Sequence, residues 1–161
     1  MGRLQQAMKP ELRPACAADY AFIAAWVPDA AACLRWAGPR VPFPFAGAEL
    51  ATHLAVTGGE SHCLAEPAAA PCGFGQHWAV STGAVHLGRI IVAPSARGQG
   101  LGYRLCVQLI ARAIQATGAG AVTLRVYRDN AVALGLYTRL GFSTVATESN
   151  GEVFFMRKRV P

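Results

Sequence analysis

The chain has 161 residues, 53% of them hydrophobic and 15% charged, and a formal charge of +6. That length suits one domain, and the composition excludes a disordered chain and supplies a well-filled core. No apolar run reaches the roughly 18 residues that cross a membrane, and the first residues are polar, without the apolar stretch of a secretory signal. No membrane partner is expected, and a cytoplasmic location follows by default. Residues 1–10 are read as a flexible arm and 11–161 as a single domain. The 15 Lys and Arg are scattered. The short Arg157-Lys158-Arg159 group is not a long basic block, so no nucleic-acid partner is expected, and a polyanionic ligand is reason enough for a basic surface. The 5 cysteines are odd in number and form no Cys-x-x-Cys pair. They suggest neither a disulfide framework nor a zinc site, and read as small buried apolar residues. No metal is expected.

In chain order, residues 11–14 read as a short first strand. Residues 19–27 are a helix with Phe22, Ile23 and Trp26 on one face, and 30–36 a second short helical piece. The prolines of 37–45 forbid regular structure, and with Phe43 and Phe45 they make an ordered loop. Residues 47–56 are a helix, with Leu50 and Leu54 one turn apart. Strands at 61–66, 72–80 and 85–92 form an antiparallel meander, its second connection the tight Ser81-Thr82-Gly83. Leu101, Leu105, Leu109 and Ala113 recur every four residues, so 100–116 is an amphipathic helix that closes at Gly118. A strand at 121–127 completes a strand–helix–strand unit, which sets its two strands parallel. Asn130 opens a helix to Leu140 with Gly141 as its C-cap. Strands at 142–147 and 152–158 flank the turn Ser149-Asn150-Gly151. The sum is an α/β domain built on a mixed sheet of about seven strands.

Between the strand 85–92 and its helix lies Arg97-Gly98-Gln99-Gly100-Leu101-Gly102. Glycines let a ligand approach the backbone closely, and the first N–H groups of the helix point at it, backed by the helix dipole. A pyrophosphate fits such a place. There is no Gly-x-x-x-x-Gly-Lys-Ser/Thr, and Tyr103 breaks the Gly-x-Gly-x-x-Gly fingerprint. What fits is Arg/Gln-x-x-Gly-x-Gly/Ala, met by Arg97, Gly100 and Gly102. This resembles the acetyl-CoA signature of the GCN5-related N-acetyltransferases, the GNAT family. A second segment, Asn130 to Phe142, meets every fixed position of that family's Asn-x-x-Ala-x-x-Leu/Phe-Tyr-x-x-x-Gly-Phe. The close resemblance covers roughly residues 85 to 145. Over the N-terminal third the chain resembles, less specifically, a bacterial branch that acetylates small amines or peptide lysines.

The resemblance implies the GNAT fold: a strand, two helices, three strands, a helix, a strand, a helix and two strands, with the fourth and fifth strands splayed. It implies acetyl-CoA as co-substrate, its pantetheine arm along the backbone of Ile90, Ile91 and Val92. Its pyrophosphate would lie on the amides of Arg97, Gly98, Gln99, Gly100, Leu101 and Gly102. Arg104 and Arg128 read equally as phosphate contacts or as solvated surface residues, and Asn130 as a pantetheine contact or an N-cap. Tyr137 stands where the family commonly has the acid that protonates the departing thiolate. A lysine-like acceptor, with a pKa of roughly 10, must also lose a proton before it attacks. His86 is the first candidate base, with His77 and Glu66 in reserve; His53 and His62 are given no role. A backbone N–H of 90–92 would stabilise the negative charge on the carbonyl oxygen. Trp36, Phe43, Phe45 and Trp78 are the candidate walls of the acceptor pocket. The reading is direct transfer of an acetyl group to a primary amine, with a small amine favoured over a peptide or protein amine. The other class is a module that senses acyl-CoA without catalysis, which would not need Tyr137 or a base. The resemblance is compatible with a homodimer and with a monomer.

Overall fold

The computed structural model describes residues 9–80 and 83–161. Most of the arm, and Ser81 and Thr82 of the tight connection, lie outside the described residues. The elements run β1 (Glu11–Pro14), α1 (Asp19–Ala25), α2 (Ala30–Ala37), α3 (Gly47–Leu54), β2 (Gly59–Ala65), β3 (Gly73–Val80) and β4 (Ala84–Val92). Then come α4 (Leu101–Thr117), β5 (Ala121–Tyr127), α5 (Ala131–Arg139), β6 (Ser143–Thr144) and β7 (Val153–Arg159). The seven strands lie in one sheet in the order β1-β2-β3-β4-β5-β7-β6. Only β4 and β5 run parallel, as the strand–helix–strand unit requires. Among the described residues no helix is long and apolar enough to cross a membrane.

Two cores sandwich the sheet. On one face α4 and α5 bury Leu105, Leu109, Ala113 and Tyr137 against Val85, Leu87, Val122, Leu124, Val126 and Met156. Gly75 admits Leu109 here, since a Cβ at that position would stand 2.7 Å from Leu109 Cδ2. On the other face α1, α2 and α3 bury Ile23, Cys33, Leu50 and Leu54 against Cys63 and Phe74. Among the described residues that second core takes in none of β5 or β7, so its apolar packing stops short of those strands. Arg13 ties β1 to α1, its guanidinium donating to both oxygens of Asp19 at 2.6 and 2.8 Å. Asp19 also accepts the Cys16 N–H at 2.8 Å, and these bonds hold its carboxyl well below the usual carboxylate range.

Two expectations need correction. The strand read at 142–147 shrinks to Ser143–Thr144 and is followed by a turn of 3-10 helix at Ala146–Glu148. The cause is Ser149. Its hydroxyl donates to Val145 O at 2.8 Å and accepts the Phe155 N–H at 2.9 Å, so a side chain stands where the ladder would continue. The cysteines are all free, but not all are buried: Cys33, Cys63 and Cys106 are, Cys72 is half-buried and Cys16 is exposed. Burial pushes the Cys106 thiol up to about 12, so it is no nucleophile.

Candidate active site

The site begins with a bulge in β4. Against β3, Phe74 pairs with Ile91 and Gln76 with Gly88, so Arg89 and Ile90 together oppose Gly75. Arg89 takes a φ of 54°, a left-handed value unusual for a residue with a side chain. The extra residue interrupts the alternation and puts Gly88 and Arg89 on one face, since a Cβ on Gly88 would look onto Trp78 and Arg89 reaches Gln76. Ile90 packs with the α4 core, while Arg89 turns to the opposite face. There its guanidinium donates to Leu54 O at 2.9 Å, Gln76 Oε1 at 3.0 Å and Ala37 O at 3.4 Å. All three partners are neutral, and burial lowers the Arg89 pKa from its ordinary value.

The ladder between β4 and β5 holds only Ala84, Val85 and His86 against Ala121, Val122 and Thr123. From Leu87 onward the strands part and leave a cleft of about 100 Å³ through the sheet. Leu87 to Ile90 form one wall and Leu124 to Tyr127 the other. Asn130, Ala133 and Tyr137 stand at the α5 mouth, Arg35 and Trp36 at the α2 mouth. Trp36 is fixed by its Nε1–H, which donates to Arg89 O at 2.8 Å. Arg35 stacks 4.3 Å over the Tyr127 ring and pairs with Asp129 at 2.6 Å. Asn130 lines the cleft, and its Oδ1 caps α5 by accepting the Ala133 N–H at 3.2 Å. Tyr137 is buried, and its ring meets Phe142 edge-on at 6.0 Å. Burial holds its phenol well above the ordinary range, in the protonated form a proton donor needs.

Beyond Val92 a short turn at Pro94–Ala96 leads into the glycine loop. Gly98 and Gly100 take φ of 76° and 77°, and α4 starts at Leu101. The amides of Leu101, Gly102 and Tyr103 precede the first intrahelical bond, from Arg104 N to Gly100 O at 3.2 Å, and no side chain caps them. Arg97 turns its Nε–H back to Val92 O at 3.2 Å. An open strand edge, a cleft through the sheet and free amides at the start of a 17-residue helix fit acetyl-CoA: an extended arm with an acyl end and a pyrophosphate. Of the strand residues read for the arm, Ile90 lines the cleft; Ile91 lies against the α1–α3 core and Val92 beside Gly102.

His86 sits on the last rung before the strands part. Its Nδ1 is 2.8 Å from Thr123 Oγ1, and burial, with Arg125 adding to it, pushes its pKa down to about 4. It faces a second cavity of about 450 Å³ over the part of the sheet beyond the α1–α3 core, with Trp78, Val80, Thr123, Arg125, Glu148, Phe155 and Arg157. Arg125 borders both the cavity and the cleft. Trp78 lies 5.1 Å from the His86 ring and over Gly88, where any Cβ would strike the indole.

The structure thus brings Trp36 to the cleft and Trp78 and His86 to the adjoining cavity. Phe43 and Phe45 pair edge-to-face at 5.7 Å and border neither. Arg104 is held by Glu11 at 2.6 Å, and Arg128 by Asn150 O at 2.7 Å. Glu66 is exposed past the end of β2. His77, the reserve base, is on the wrong face, because strand alternation sets it with Gly75 toward α4. There it stacks on His62 at 5.4 Å, with Glu60 Oε2 3.2 Å from its Nε2 and 3.8 Å from that of His62. Among the described residues the Nδ1 atoms of both rings lack a partner. Three functional candidates escaped the sequence reading: Arg89, Arg125 and Arg157. Alternation along Ala121–Tyr127, with Val122, Leu124 and Val126 inward, carried the signal for Arg125; the bulge at Arg89 left none.

These histidines give the fold an acid limit. Burial lowers the pKa of His62, His77 and His86, against Glu60, which raises the first two, and Arg112 and Arg125, which lower them further. In the unfolded chain each takes its proton near pH 6.5, in the folded chain only lower, so the unfolded state binds more protons in between. Stability is full above about pH 6.5 and falls as pH drops below it, by up to about 1.4 kcal/mol per pH unit for each histidine. Asp19, with its lowered pKa, adds a second loss below about pH 4. Urea unfolding from pH 8 to 4 is expected to show the decline begin between pH 7 and 6; a flat profile down to pH 5 would contradict the buried neutral histidines.

The comparisons agree with this geometry. The family model described as Acetyltransferase (GNAT) family matches residues 28–142. A mycothiol acetyltransferase of Corynebacterium jeikeium is 40% identical over 67 residues, a match that spans 42% of this chain and only 19% of that protein. The spermidine N-acetyltransferase of Vibrio cholerae, solved with CoA and spermine, has the same fold: TM-score 0.74 at 19% identity, over 94% of this chain and 95% of that one. AAC(6')-Ib, solved with ribostamycin and coenzyme A, gives a TM-score of 0.72 at 18% identity, over 94% and 93%. With the family model covering most of the domain, and the splayed strands and glycine loop in place, the chain belongs to the GNAT family of acetyltransferases.

Proposed function

We propose that the protein moves an acetyl group from acetyl-CoA to a small primary amine by direct attack, with both substrates bound at once. The observation that carries this reading is the cleft through the sheet, with Tyr137 at one mouth and the cavity of Trp78 and His86 beside the other. That spermidine N-acetyltransferase shares the fold supports an amine as acceptor. When bound, acetyl-CoA supplies the acetyl thioester and a thiolate to be expelled. The free edge of β4 and the amides of residues 97–102 hold it in place. Tyr137 carries a proton at its Oη for the departing sulfur. His86, neutral near pH 7, offers a ring nitrogen as hydrogen-bond acceptor to the incoming amine; with its pKa down at about 4 it does not hold the amine's proton, which leaves through water to solvent. The uncompensated guanidinium of Arg89 favours the neutral form of a nearby amine. No cysteine is needed.

Initial rates with acetyl-CoA and a panel of amines, both varied, test this. Intersecting double-reciprocal lines and an unmodified enzyme by intact mass are expected. Parallel lines, or an acetylated enzyme, would refute direct attack. Acetyl-CoA binding without turnover of any amine would mark an acyl-CoA sensor instead.

A further inference from the structure

We propose that the acceptor is a small amine that also bears an acidic group, a carboxylate or a phosphate, and that Arg125 and Arg157 bind that group in the cavity below Trp78. This rests on the acetyltransferase reading above and names the substrate class of the same site.

Strand alternation places Thr123 and Arg125 of β5 and Phe155 and Arg157 of β7 on the sheet face that carries α1–α3, outside the apolar core those helices form. Arg125 pairs in register with Phe155, and Thr123 with Arg157, so the two guanidinium groups rise from adjacent strands two residues apart. Arg125 lies 5.0 Å over the Phe155 ring, which restrains its fork without neutralising it. Among the described residues neither arginine has a carboxylate partner, whereas Arg13, Arg35 and Arg104 each have one. The cavity holds a single carboxylate, Glu148. Where the cavity approaches the cleft, Arg89 adds a cation bound only to neutral oxygens. In the cavity a polycation would meet two guanidinium groups without carboxylate partners and one carboxylate, with the Arg89 cation in the adjoining cleft. An acidic amine meets a planar fork that matches its oxygens, and His86 and Trp78 near the end where its amino group must reach the thioester. The aromatic floor of Trp78 and Phe155 fits a short aliphatic stem.

The test compares kcat/KM for matched pairs: β-alanine and β-alaninamide for the carboxylate, O-phosphoethanolamine and ethanolamine for the phosphate, with spermidine as the polycation. The acid of at least one pair is expected to exceed its uncharged partner at least tenfold, and the pair that does so identifies the group. In Arg125→Gln/Arg157→Gln that ratio is expected to fall toward one, mainly through KM for the acid. Both side chains are exposed, and an unchanged circular dichroism melt checks the fold. Calorimetric titration of N-acetyl-β-alanine and N-acetyl-phosphoethanolamine into the wild type and the double variant, with CoA present, gives a readout free of turnover. Binding of one by the wild type alone is expected. If uncharged amines or spermidine turn over faster than both acids, or the ratio survives in the variant, the acid-binding proposal fails while the acetyltransferase reading stands. If no amine turns over and neither product binds, both fail.

Discussion

Tyr137→Phe is expected to lower kcat by about 10²- to 10³-fold, the range for loss of one positioned proton donor, and to leave the Kd for CoA within about twofold. The change removes one oxygen and keeps the ring that packs against Phe142 and the α4 core. Its stability cost is therefore small, on the order of 1 kcal/mol or less. The effect is expected in the chemical step because Tyr137 lines the cleft and burial keeps its phenol protonated over the whole working pH range. The expelled thiolate, with a pKa near that of cysteine at about 8.5, leaves poorly without a proton, so a slowed departure should show in single-turnover rates. A matching fall in kcat and kcat/KM would place the lost interaction in the transition state alone. If kcat fell less than threefold and KM for acetyl-CoA rose instead, Tyr137 would be a wall of the binding site and no acid.

The elements and the glycine loop before α4 were legible because they follow from local chemistry. Leu105, Leu109 and Ala113 at helical spacing mark α4, and Asn130 and Gly141 mark both ends of α5. The parallel pairing of β4 and β5 follows from the helix between them. What escaped depends on contacts between distant segments. A one-residue bulge opposite Gly75 sets Arg89 on the same face as Gly88 and opposite Leu87, where alternation counted from Leu87 would have put it with the α4 core. Ser149 ends the β6 ladder through bonds to Val145 and Phe155, across a turn that alone reads as an ordinary hairpin. The two faces of β3 separate His77 from Trp78, although the residues are neighbours in the chain. The cavity beside His86 was seen only in part for the same reason. Trp78 and His86 stand on strands read correctly, but the charge that gives the cavity its character comes from β5 and β7, brought together by the sheet order.

Gly100→Val tests the other half of the site and is expected to weaken CoA binding by about 10- to 100-fold. Gly100 adopts φ 77°, and a Cβ there would meet nothing within 4 Å. The substitution therefore causes no collision; its whole effect is conformational. An ordinary L-residue pays about 1–2 kcal/mol in this region, and a β-branched one more. The loop relieves that strain by turning peptide planes, and those planes carry the N–H groups that precede the first bond of α4, from Arg104 N to Gly100 O. Amides turned away lose their grip on the pyrophosphate, and the helix dipole no longer meets it squarely. Gly120→Ala is the control: a Cβ there also meets nothing within 4 Å, but the backbone has no positive φ and lies at the far end of α4. Calorimetric titration of CoA should separate the two variants by at least tenfold, while the Val variant's Tm falls by about 2–4 °C for each kcal/mol of strain the loop retains. The turnover defect should then lie in KM for acetyl-CoA, with kcat recovered at saturation, which is the opposite signature to that of Tyr137→Phe. Equal affinities in the two variants would mean that the start of α4 does not hold the phosphates, and the cofactor would have to enter the cleft by another route.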